Sequence, residues 1–326
     1  QSMNLLVTSS PHIHSGARTS RLMGDVLLAL LPALFAGVWF FGLRALVLTG
    51  VTVLSCLLSE WLFRMLTRQS NTLPDLSAAV TGVLLAMTLP ASVPYWLGAV
   101  GGIFAIVVVK GLIGGLGQNI FNPALAARAL LVLLWPSWMV RYAPAGAALD
   151  PTALSVDIVS AATPLHHMVM PALPTESLLD VFLGNMGGCI GEVSALALLL
   201  GGGYLMLRRV ISWRIPAAYL GSVALLTLIF SKGQDPVQWM LYSLMCGGVL
   251  LGALFMATDY ATSPVTPGAQ LLYGVGCGML TVLLRYYGLF PEGVTYAILL
   301  MNACAWSLDR LAPPKRFGTV KGGGVQ

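Results

Sequence analysis

Val156-Asp157-Ile158-Val159-Ser160-Ala161-Ala162-Thr163-Pro164-Leu165 is a polar stretch of mostly small residues in a chain that is otherwise largely soluble in lipid. Five long apolar segments precede it, at residues 22–41, 45–63, 76–89, 95–113 and 124–140. Five more follow, at 178–207, 213–230, 237–257, 270–284 and 294–308. Most are close to the roughly 20 residues that a helix needs to cross about 30 Å of hydrocarbon, and 178–207 is longer than one span. The stretch is therefore expected in a loop outside the membrane or at its surface. Pro164 ends any helix near Thr163 and leaves its hydroxyl accessible. An odd number of crossings on each side of the loop turns the second half upside down relative to the first. The expected fold is an all-α integral membrane protein with about ten transmembrane helices, arranged as two inverted five-helix repeats with interrupted helices. The corresponding divisions are an N-terminal segment (1–20), a first membrane repeat (21–140), a loop (141–177), a second membrane repeat (178–308) and a C-terminal tail (309–326).

Composition supports this reading. The chain has 326 residues, 57% hydrophobic and 9% charged, with a mean hydropathy of +0.84; a soluble domain carries roughly 25% charged residues. Its net charge of +5 is what loop cations that set orientation produce, and no nucleic-acid partner is expected. With the N-terminus in the cytoplasm, Arg64, Arg68, Lys110, Arg128, Arg208, Arg209, Arg214, Lys315 and Arg316 lie in or near that side. Only Arg44, Arg141, Lys232 and Arg285 fall outside. Cytoplasmic loops retain Lys and Arg, so both termini are placed in the cytoplasm and the Thr163 loop on the outer, periplasmic face. No cleavable signal peptide is expected.

Few residue patterns carry chemistry. Cys56, Cys189, Cys246, Cys277 and Cys304 form no C-x-x-C pair, and His12, His14, His166 and His167 lack further ligands at suitable spacing. No metal site is expected. No nucleotide-binding glycine fingerprint and no nucleophile–base triad is present, so any reaction would be carried by a cofactor. Two runs interrupt the apolar pattern, G-L-I-G-G-L-G-Q-N-I-F-N-P-A at 111–124 and T-D-Y-A-T-S-P-V-T-P-G at 258–268. They are expected to be a matched pair of breaks where half-helices meet at a central site. Asn119 and Asn122 could hydrogen-bond the edge of a flat heterocycle while Phe121 packs on its face. Asn122 before Pro123 also reads as a helix N-cap. Lys110 reads either as a cation reaching the interface or as a positive charge near a reduced, anionic cofactor. Glu60 is expected to pair with Arg64, and Asp25 with Arg21, each four residues apart. Glu192 and Asp259 have apolar or small neighbours and are the candidates for cation or proton handling.

Further motifs carry a family resemblance. Ser9-Ser10-Pro11-His12-Ile13-His14-Ser15, Met23-Gly24-Asp25-Val26 and Leu31-Pro32-Ala33 resemble the N-terminus of D subunits of the Rnf complex, the ion-translocating ferredoxin:NAD oxidoreductase. Gly117-Gln118-Asn119-Ile120-Phe121-Asn122-Pro123-Ala124, residues 157–164 and Ala257-Thr258-Asp259 with Thr262-Ser263-Pro264 extend the resemblance over essentially the whole chain. The B subunit of the sodium-pumping NADH:quinone reductase shares the layout at greater distance. The resemblance implies an electron-transferring flavoprotein subunit of a redox-driven Na⁺ or H⁺ pump in the bacterial cytoplasmic (inner) membrane. In this family a D-x-x-[ST]-[GA]-[AS]-T motif is flavinylated on its last threonine by a dedicated transferase that takes FMN from FAD. Asp157, Ser160, Ala161, Ala162 and Thr163 match it, with alanine at 161 where glycine is common. A second, noncovalent flavin, riboflavin, is implied near Asn119 to Asn122. The implied partners are a covalent-FMN subunit on the outer face, iron–sulfur membrane subunits, the flavin transferase and the bilayer. A competing reading is a small-solute channel or transporter with a urea-channel-like inverted repeat, which would need no covalent flavin.

Overall fold

The computed structural model describes residues 19–312, apart from 71, 114–118, 148, 154–162, 164, 166–173, 175, 233–234 and 289–292. The regular elements among the described residues are all helices, with one isolated β-bridge and no strands. The elements are α1 (Thr19–Phe41), α2 (Leu43–Leu66), α3 (Ser77–Met87), α4 (Tyr95–Leu112), α5 (Pro123–Leu134), α6 (Pro136–Met139), α7 (Leu178–Leu183), α8 (Ala195–Leu207), α9 (Arg214–Ile229), α10 (Pro236–Met245), α11 (Val249–Met256), α12 (Pro267–Tyr287) and α13 (Val294–Leu311).

Among the described residues, α1, α2, α4 and α12 are each long and apolar enough to cross a membrane, and the bent pair α10–α11 makes a fifth span if counted as one. Three of the remaining helices are shorter than the apolar segments that contain them. α3, α5 and α8 have 11, 12 and 13 residues, so they rise about 16–20 Å at 1.5 Å per residue. Pro90 and Pro94 follow α3, Trp135-Pro136 interrupts the exit of α5, and the glycine-rich run 184–191 interrupts the apolar segment 178–207 ahead of α8.

Non-helical backbone at membrane depth is tolerated only where protein satisfies it. Here the two irregular segments satisfy each other. Pro90 and Cys189 form the antiparallel bridge, the Ile190 N–H donates to the Leu89 carbonyl at 3.1 Å, and the Gly191 N–H donates to that of Met87 at 2.8 Å. Gly191 is required for this approach, because a Cβ there would sit 2.4 Å from Met87 were the backbones not to move apart. Arg44, wholly buried in α2, completes the arrangement. Its guanidinium donates to the carbonyls of Ala91 (3.0 Å), Val93 (3.3 Å), Asp150 (3.0 Å) and Ala153 (2.6 Å) and lies over the Tyr95 ring. Arg285 does the same at the 60° bend between α10 and α11, donating to the carbonyls of Ser243, Cys246 and Gly247. That bend needs glycine at 247 and 248, where φ is +67° and +69°.

The break after α3 also has a counterpart after α11. Residues 82–88, G-V-L-L-A-M-T, end α3, and residues 252–258, G-A-L-F-M-A-T, end α11. Each run finishes on a threonine whose hydroxyl returns to its own helix, Thr88 to Leu85 at 2.7 Å and Thr258 to Leu254 at 2.8 Å. Each is followed by a proline-containing loop and a long helix, α4 or α12. By element order the run at 258–268 also resembles residues 88–94; it still meets the run at 111–124 as expected, since Asn119 and Asn122 of one and Thr258 to Ala261 of the other line the same cavity.

Candidate functional site

The interruption at 111–124 walls a cavity of about 340 Å³, within the size range of small-molecule and cofactor sites. Several elements end on it. Thr19 and Met23 come from the start of α1, Ser77 from the start of α3, Lys110 from the end of α4, Asn119 and Asn122 from the segment before α5, and Phe255 to Ala261 from the end of α11 and its loop. Its walls are mainly apolar, and polar groups converge from all five of these segments.

The two asparagines have different tasks. Asn122 is the N-cap of α5: its Oδ1 accepts from the N–H groups of Ala124 (3.1 Å) and Leu125 (3.3 Å), and its Nδ2 donates to the Met256 carbonyl at the end of α11. That side chain fastens the two interruptions together. Asn119 is not so engaged. Its Oδ1 is buried without a hydrogen-bond partner among the described residues, which costs about 1–3 kcal/mol in a closed protein interior and marks an acceptor available to a bound group. Phe121 does not border the cavity; the aromatic rings that do are Phe255 and Tyr260. Asp259 also lines the cavity, from the loop that follows α11. Burial pushes its carboxyl above the ordinary range, while the Thr262 hydroxyl and the backbone N–H groups of Ala261 and Tyr260 oppose the shift.

Lys110 resolves the alternatives posed by its sequence. It is 4% exposed, and its Nζ lies 2.7 Å from Glu60 Oε1 and 2.8 Å from Ser77 Oγ. The Thr72 hydroxyl also donates to Glu60 Oε1, at 2.6 Å. Glu60 is thus paired with Lys110 rather than with Arg64, whose guanidinium donates to Gln69. Asp25 likewise pairs across the bundle with Arg208 and Tyr204 of α8 instead of with Arg21. Both expectations considered only neighbours on one helix; in a bundle this tightly packed, the nearer partner comes from another helix.

Thr163 lies at the other end of the molecule. It borders a small crevice with Leu165, Met186, Gly187, Glu192, Cys246 and Gly247. α1 connects the two regions: Thr19 and Val26 line the cavity, whereas Gly37 lies against Ile190 and Phe40 against Gly184. The crevice, of about 10 Å³, admits at most a water, so any flavin ring esterified to Thr163 would project away from it. The glycines at 187 and 247 keep its walls close to bare backbone. Glu192 Oε1 accepts from the Cys189 N–H at 2.9 Å and so closes the 184–194 loop while standing beside the crevice. The two ion-handling candidates are thereby separated, Glu192 at the Thr163 end and Asp259 at the cavity. Asp157, Ser160, Ala161 and Ala162, with the two histidine pairs, lie outside the described residues, and no group of three metal-ligating side chains occurs among the described ones.

The model of the NQR2, RnfD, RnfE family matches residues 6–318. The chain belongs to this family. It is similar to the D subunit of the Na(+)-translocating ferredoxin:NAD(+) oxidoreductase complex of Acetobacterium woodii, 47% identical over 98% of this chain and 97% of the relative. It is similar to the D subunit of the proton-translocating ferredoxin:NAD(+) oxidoreductase complex of Clostridium ljungdahlii, 38% identical over 96% of each. The D subunit of the ion-translocating oxidoreductase complex of Halorhodospira halophila is 37% identical over 97% of this chain and 96% of its own. Family membership and the apolar helices together make this a multi-pass membrane protein.

The sequence missed Arg44 and Arg285 as loop-holding residues because both read as outer-face cations. Their signal was present in the apolar runs around them, since a lone arginine deep in such a run needs a set of carbonyls.

Proposed function

We propose that the chain is the D-type membrane subunit of an ion-translocating ferredoxin:NAD oxidoreductase complex, carrying covalent FMN on Thr163 and noncovalent riboflavin in the Asn119 cavity. The observation that carries the reading is the unpartnered Asn119 Oδ1 in a cofactor-sized, mostly apolar cavity at the opposite end of α1 from Thr163. Two such stations suit a chain that passes electrons across a membrane. Asn119 would accept from a ring N–H of the flavin, Phe255 would pack against it, and the apolar walls would exclude water. A bound flavin supplies the redox chemistry; the chain holds it, orients it and insulates it. A phosphoester at Thr163 would keep the outer FMN from diffusing away, and Asp157, Ser160, Ala161 and Ala162 would present that threonine to the flavin transferase. Glu192 and Asp259, one near each station, are the groups through which Na⁺ or H⁺ movement would be coupled. Electrons would pass to and from a covalent-FMN subunit on the outer face and iron–sulfur membrane subunits.

The same reading takes the chain as ten crossings in two inverted repeats, 21–140 and 178–308, with the cavity end and both termini in the cytoplasm and Thr163 on the periplasmic face of the inner membrane. Two observations support it. The related segments ending at Thr88 and Thr258 run in opposite senses: α3 begins at the cavity with Ser77, whereas α11 begins beside the Thr163 crevice after Gly247 and reaches the cavity at Phe255. The cations Arg64, Arg68, Arg208 and Arg209 follow helices that end towards the cavity.

Denaturing electrophoresis tests the covalent site. Co-expressed with a flavin transferase, the wild-type band should fluoresce and the Thr163→Ala band should be dark. A dark wild-type band, with the transferase active on a control substrate, sinks the assignment.

A further inference from the structure

Lys110 stands between a buried carboxylate and the cavity. On one side its ammonium contacts Glu60 Oε1, which does not border the cavity; on the other it contacts Ser77, which does, and Lys110 lines the cavity itself. Of the three donors an ammonium carries, two are used in these contacts, leaving one for a group in the cavity. Glu60 Oε2 is buried without a partner among the described residues, so the carboxylate is under-satisfied for a site so far from water. The Thr72 hydroxyl holds Glu60 from behind and allows the ammonium to lean away without freeing the carboxylate altogether.

We infer that Lys110 receives the negative charge that a flavin in this cavity gains on reduction, with Glu60 holding the ammonium in place while the ring is neutral. The inference rests on the cavity's being a flavin site, as proposed above. Two electrons from the complex's own low-potential carriers and one proton, taken up at N5, convert the neutral ring to an anion whose charge is spread over N1 and the adjacent carbonyl oxygen. A fixed cation at that edge, in a dry site of low dielectric, favours the charged product over the neutral oxidised ring. Lys110 therefore sets the potential of the bound flavin rather than merely its affinity.

The test measures the midpoint potential of the noncovalent flavin by spectroelectrochemical titration. It is done in full-length Thr163→Ala protein supplied with riboflavin, so that covalent FMN does not contribute. Lys110→Met should lower the reduced-to-oxidised affinity ratio at least tenfold, which is about 30 mV in a two-electron potential. Lys110→Arg keeps the charge and should stay near the parent. Because Lys110→Met leaves a buried carboxylate alone, the double variant Glu60→Gln/Lys110→Met is titrated too and should show the same drop. An unmoved potential in the double variant, or an equal drop in Lys110→Arg, overturns the inference while leaving the flavin site intact. Parent protein that takes up no flavin overturns the site itself, and the inference with it.

Discussion

Arg44 makes the residue-scale argument plainest. Its donors go to four backbone carbonyls and its flat face to Tyr95, so a single side chain satisfies a loop that has no helix to satisfy it. Arg44→Met would leave those acceptors buried, at about 1–3 kcal/mol for each one that finds no substitute. We expect a loss of about 3 kcal/mol or more, read as a lowered thermal unfolding midpoint of the purified protein in detergent. Arg44→Lys should recover only part of it, because an ammonium is a point donor and cannot reproduce the guanidinium fork. An unchanged midpoint in Arg44→Met would remove the loop-holding role. At this scale sequence reading succeeded where the cause was local, as at Asn122, whose capping follows from the adjacent Pro123. It failed for Glu60 and Asp25, because their partners are 12 or more residues away in sequence and spacing along one helix carries no information about them.

The elements pose a different question, which is how short helices are completed. α3 and α8 stop well short of a full crossing, and residues 88–94 and 184–194 fill the gap by pairing with one another. Residues bridged in this way have Cα atoms about 4.5–5.5 Å apart, which suits a disulfide. Pro90→Cys should therefore oxidise with the native Cys189 under a membrane-permeable oxidant. Intact-mass measurement after denaturing alkylation should then show two fewer alkyl groups than in the reduced sample. The same treatment of wild-type protein should show no such loss. Free thiols in oxidised Pro90→Cys would separate the two segments. Hydropathy placed residues 88–94 at the junction of two apolar runs and residues 184–194 inside a third, without showing that the two segments pair. An apolar side chain scores alike in a helix and in a buried loop, so only the prolines at 90 and 94 hinted at the difference.

For the whole molecule, the all-helical, multi-pass membrane character was legible, because lipid imposes length and polarity on anything that crosses it. The pairing of breaks was less so: the resemblance of residues 82–88 to 252–258 is short, and it acquires meaning only once both are seen to end helices that lead to the cavity from one end and to the Thr163 crevice from the other. The proposed orientation has a direct check. A green fluorescent protein fused after residue 326 should fluoresce, and an alkaline phosphatase fused there should be inactive; the reverse pair of results would turn the molecule over and put Thr163 in the cytoplasm.

The bridge between Pro90 and Cys189 also has a bearing on biogenesis. The partners of residues 87–89 are made some hundred residues later in translation, after the polar stretch around Thr163. Until then the first half holds carbonyls with nothing to bind them, and a half-made chain released into lipid would meet the full cost of those groups. The first half is thus obliged to wait beside the insertion machinery, or keep that loop wet, until the second half arrives. Insertion and tertiary folding are in this protein a single event.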